Sequence, residues 1–147
     1  MENLTNIKTY VLTILGIIGA FIANLLGGWD TALQTLVLFM AIDYIMGLII
    51  AGVFHKSQKT ETGRLESLTG WKGICKKGVT LLIVLVAAQL DSLMGIDYVR
   101  YAAIIAFVAN ELLSIIENAG LMGIKIPQKL IDAIDILKQK EKAITKE

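Results

Sequence analysis

The chain has 147 residues, a formal net charge of +1 and one cysteine, Cys75; 55% of its residues are hydrophobic and 18% are charged, and its mean hydropathy is +0.66. That is enough for one domain, richer in apolar residues than a soluble one. A single cysteine excludes an intrachain disulfide framework.

From Thr9 to Trp29 there are 21 residues without Asp, Glu, Lys or Arg. About 20 such residues cross the roughly 30 Å hydrocarbon core of a bilayer. Gly16, Ala20, Ala23, Asn24 and Gly27 share one side of this stretch. They form a small-residue face suited to close helix packing, with Gly16, Ala20 and Asn24 at its centre. Gly27-Gly28-Trp29-Asp30 reads as a tight turn with an interfacial Trp, not as a signal-peptide cleavage site.

The next run, Thr31 to Phe54, carries one charge, Asp43, near its middle. An ionised side chain at the bilayer centre costs about 2.5–3.5 kcal/mol on insertion scales. Asp43, with Tyr44 and Gly47 beside it, is therefore either a helix-contact or pore-lining carboxylate that titrates, or a protonated one hydrogen-bonded inside the bundle. Gly47 would let another backbone approach closely.

Residues 55–77 read as a polar loop carrying Lys56, Lys59, Arg64, Lys72, Lys76 and Lys77. Leu65, Leu68, Trp71 and Cys75 recur there at helical spacing, so part of it can lie on the membrane surface. Gly63, Gly70 and Gly73 weaken that helix. Only 13 uncharged residues separate Lys77 from Asp91, so a third span must run on past Asp91. The fourth carries Asn110, Glu111, Ser114, Glu117 and Asn118 within about 120° of helical arc. Ile105, Val108, Leu112 and Ile116 lie opposite. Such a polar stripe must face a partner or water.

After Gly123 the chain turns polar, and Pro127 suits the start of a helix over about 127–142. Leu130, Ile131, Ile134 and Leu137 line one side of it.

The expected fold is all-α: an integral membrane protein with about four transmembrane helices (8–27, 32–54, 77–95 and 98–119) in a domain over 1–124. A cytoplasmic, amphipathic, charged tail follows over 125–147. With four spans, Lys8, the loop and the tail (Lys125, Lys129, Lys138, Lys140, Lys142 and Lys146) share one side, leaving only Arg100 opposite. The positive-inside rule then places both termini in the cytoplasm. The basic residues flank apolar runs, so they read as topology signals and lipid contacts, not as a nucleic-acid site.

No enzymatic constellation is visible. His55 and Cys75 lie twenty residues apart on the expected loop, and a zinc site or dyad would need both. No Gly-rich phosphate loop is present. No metal or cofactor is expected.

Three segments carry a resemblance: Ala41-Ile-Asp-Tyr-Ile-Met-Gly47, Gly70-Trp-Lys-Gly-Ile-Cys-Lys-Lys77, and Asn110-Glu-Leu-Leu-Ser-Ile-Ile-Glu-Asn118 running on to Gly123-Ile-Lys-Ile-Pro127. In this order and spacing they resemble the phage-lysis and toxin-secretion holins of Gram-positive bacteria and their phages. The resemblance covers roughly residues 30–140. It implies a protein of the bacterial cytoplasmic membrane that associates with itself and with lipid. It further implies a large hole that releases an endolysin or a toxin without binding it stably. Asp43, Glu111 and Glu117 belong to the family pattern. A small four-helix transporter or channel subunit with an intramembrane carboxylate is the competing class.

Overall fold

The structure, a computed structural model, describes residues 2–144. Lys146 of the expected tail lies outside them. Five α-helices account for most of the chain: α1 (Glu2–Leu25), α2 (Thr31–Ile49), α3 (Ser67–Met94), α4 (Val99–Leu121) and α5 (Gln128–Ile144). A π-helical stretch, Ile50–Phe54, prolongs α2. No strand occurs among the described residues. α1, α2 with its π-helical end, α3 and α4 are each long and apolar enough to cross a membrane.

α2, α3 and α4 form the bundle, and its apolar core occupies one half. There Leu33, Leu36, Met40, Val84, Ile104 and Val108 pack together with Leu26. Asp30 starts α2 by accepting the Leu33 backbone N–H at 2.9 Å, which satisfies one of the free donors at a helix start. Gly95, in the left-handed region at φ 69°, ends α3 as glycine commonly does.

The bundle is tied at the same end by Arg100. Its Nε donates to the Leu26 carbonyl (2.5 Å), its Nη1 to Asp30 Oδ2 (2.6 Å) and its Nη2 to the Gly28 carbonyl (3.0 Å). Gly27, at φ 84°, leaves room for this: a Cβ there would stand 2.7 Å from Arg100 Cδ. Asp91 of α3 accepts the backbone N–H groups of Val99 and Arg100 and so caps α4. The Arg100 guanidinium beside Asp30 holds its carboxyl below the ordinary value of 3.8. A depressed carboxylate stabilises the fold above its ordinary pKa, and that contribution is lost as pH falls through the folded value. The clasp is therefore constant across neutral pH.

α1 departs from the expected packing. No residue of its apolar stretch is buried, and only its last turn, at Ala23 and Leu25, is half-buried. Nothing lies within 4 Å of a Cβ placed at Gly16, and Ala20 and Asn24 are exposed. Gly16, Ala20 and Asn24 are thus unpacked within one protomer, whereas Gly27 on the same side meets Arg100.

α3 also differs. It starts at Ser67, ten residues before the expected span, so Lys72, Lys76 and Lys77 lie on a helix and not in a loop. Its 28 residues extend about 42 Å, longer than the hydrocarbon core. The glycines that argue against a helix are here covered by a side chain. A Cβ at Gly70 would meet the Tyr44 hydroxyl of α2 at 3.5 Å, and one at Gly73 the Tyr44 ring at 3.6 Å.

α5 folds back onto the bundle. After the turn at Gly123 it runs antiparallel to α4, and Lys140 Nζ reaches Tyr101 Oη at 2.9 Å. Tyr101 lies in the first turn of α4, beside Arg100. The positive charge of the tail therefore does not all gather at the end holding residues 55–66.

Candidate functional site

Asp43 stands 12 residues into α2, about 18 Å along its axis. It is 5% exposed. Lys77 of α3 donates to Asp43 Oδ2 at 2.9 Å and to Glu111 Oε2 of α4 at 2.6 Å. Asp43 Oδ1 accepts from Ser114 Oγ at 2.5 Å and from Asn118 Nδ2 at 2.9 Å. One cation thus lies between two carboxylates, and three helices contribute to a single network. No buried side-chain polar atom among the described residues lacks a partner. Removing charges from water is tolerated on these terms, with opposite charges adjacent and the remaining lone pairs bonded.

The polar stripe of α4 therefore divides. Glu111, Ser114 and Asn118 turn into the bundle. Asn110 and Glu117 stay exposed. The opposite side is not a lipid-facing surface: Ile105, Val108 and Leu112 are all buried. The helix packs over a wide arc, from Asn118 round to Ala109.

Tyr44 packs on α3, as described. Within the protomer Gly47 has no close neighbour, since a Cβ there would meet nothing within 4 Å. It instead borders two cavities that flank the charged network. One, of about 70 Å³, lies between α2, α3 and the 55–66 loop and ends on Asp43 and Lys77. The other, of about 260 Å³, is lined by Ser57, Lys59, Ser114, Glu117 and Asn118 among others. Both have room for water by volume and polar partners to hold it. The network borders these cavities at the loop end and is closed by apolar side chains toward the Leu36–Ile104 core.

Lys77 is the residue that sequence reasoning misplaced, because a lysine ordinarily marks the end of a span. A signal was present nonetheless: acids near the middle of two spans need a cation, and Lys77 is the base adjoining the third apolar run.

Residues 20–139 match the bacteriophage holin family. The chain belongs to the bacteriophage holin family. A 14.9 kDa protein of Clostridium perfringens is 36% identical over 143 residues, covering 96% of this chain and 100% of its own length. A protein of Listeria monocytogenes is 40% identical over 123 residues, covering 83% and 82%. A probable holin of Bacillus phage phi105 is 32% identical over 106 residues, covering 71% and 73%. No solved structure matches the chain. The holin match and the four apolar helices make this a multi-pass protein of the cytoplasmic membrane.

Proposed function

We propose that this holin acts by assembling copies of itself into pores in the bacterial cytoplasmic membrane, through which an endolysin escapes to the cell wall. The observation that carries this reading beyond family membership is the self-contained charge network. Asp43, Lys77 and Glu111 neutralise one another as far as one cation can, inside a single protomer. That network is tolerated in lipid without a second copy, so single protomers can accumulate without leaking. Assembly then draws on weaker groups: the unpacked Gly16–Ala20–Asn24 face of α1, and Asn110, exposed midway along α4. Interhelical hydrogen bonds in membranes average about 0.6 kcal/mol. Contacts of that size favour a density threshold over early tight dimers. Glu117, near the end of α4, reaches headgroups or lumen water. No step of this reading is catalytic, and none calls on a cofactor. The amino terminus, residues 55–66 and the Gly123–Pro127 turn face the cytoplasm in it.

The cavity that ends on Asp43 is also what a small proton-coupled carrier would use, and cargo size separates the two. Expression in a bacterium is expected to arrest growth and admit propidium-sized dyes. Rapid lysis is expected only when a cytoplasmic endolysin is co-expressed. A membrane that stays tight to such dyes at high expression would overturn the reading.

A further inference from the structure

α5 turns most of its charges away from the bundle, with Leu130, Ile131 and Ile136 exposed among them. Lys129, Asp132, Asp135, Lys138 and Lys142 are exposed, whereas Ile134 is buried and Leu137 packs against the core. Lys140 bonds to Tyr101 Oη and sits 5.2 Å from the centre of its ring. The helix therefore runs back at membrane depth along α4, yet it is not among the four helices apolar enough to cross a bilayer. The exposed flanks elsewhere are apolar: Ile17 and Phe21 on α1, Leu38 and Ile45 on α2, Leu82 and Val86 on α3. The protomer is thus two-sided. Lipid can cover the apolar perimeter. It cannot cover a row of charges at this depth, which needs water.

We propose that α5, folded back along α4, lines the water-filled lumen of the assembled pore. The inference rests on the pore reading above and names the surface that meets the water. Three lysines and two aspartates share this flank, so the wall is polar without one dominant sign. A lone protomer in lipid has no water for the flank, which couples the fold-back of α5 to assembly.

The test uses the full chain with Cys75→Ser, since Cys75 is the free, exposed thiol. Tyr101→Cys with Lys140→Cys is treated with a short bismaleimide in membranes already made permeable. A tail lying at the loop end would hold these positions about one bilayer thickness, roughly 30 Å, apart. Expected is an intrachain cross-linked peptide joining positions 101 and 140. In parallel, Asp135→Cys alone is modified with a bulky charged thiol reagent, and dye release is expected to fall severalfold. Leu38→Cys, treated alike, should release dye as before. Permeable membranes with no cross-link, or an Asp135→Cys pore that the reagent leaves unchanged, would overturn the inference while the pore reading stands. Absence of dye release from the parent chain would instead overturn the pore reading, and the lumen with it. Should the double variant fail to insert, the Asp135→Cys measurement decides alone.

Discussion

Lys77→Met is expected to be the most damaging single substitution in the bundle. It removes the cation and leaves Asp43 and Glu111 facing one another beside a mostly buried site. Breaking a buried ion pair by removing one partner costs about 3–5 kcal/mol, because the other charge stays buried without compensation. Protonation of one acid relieves part of this, since two adjacent carboxyls can share a proton. The variant should still insert, as methionine makes α3 more apolar. In detergent it should unfold well below the parent, and at matched membrane level it should permeabilise less. Neutralising the whole set, with Asp43→Asn, Lys77→Met and Glu111→Gln together, should recover much of the loss. A Lys77→Met protein as stable as the parent would mean that the lysine lies outside the bundle.

The second large effect belongs to the apolar core. Leu36 is 0% exposed, whereas Ile17 on α1 is 65% exposed. In a soluble protein Leu→Ala combines lost transfer energy with a cavity and costs 2–5 kcal/mol. Lipid tails are as apolar as leucine, so here the transfer part shrinks and the cavity part remains. Leu36→Ala should therefore destabilise by about 2 kcal/mol. Ile17→Ala should stay within about 0.5 kcal/mol, as exposed positions do. The pair can be compared by equilibrium unfolding in mixed micelles. Similar losses at both positions would mean that α1 is packed into the protomer.

The α2 and α4 spans are legible from hydropathy because each is a long apolar run ended by a glycine, a polar loop or a charge. The midplane position of Asp43 is legible for the same reason. The start of α3 is not, because helix propensity penalises Gly70 and Gly73 without knowing that the Tyr44 ring will cover them. The role of Lys77 is hidden by the same boundary, since its partners lie 34 residues away on either side. The stripe on α4 is visible as a stripe, but periodicity does not say which of its members turn inward. Glu111 and Asn118 do, and Glu117 does not. The amphipathic character of α5 is equally plain from sequence. Its docking along α4 is not, because amphipathicity identifies a sticky face and names no partner for it. Recognition of the family rests on motifs whose residues, Asp43, Lys77, Glu111 and Asn118, converge in the network.

Copies of this chain are expected to open a hole wide enough for a folded enzyme. Purified protein reconstituted into liposomes at increasing density, loaded with size-graded dextrans, tests it most directly. Little release is expected below a threshold density, then loss of dextrans as large as an endolysin above it. Release confined to ions and small dyes at every density would contradict a hole of that size and favour a carrier or narrow channel.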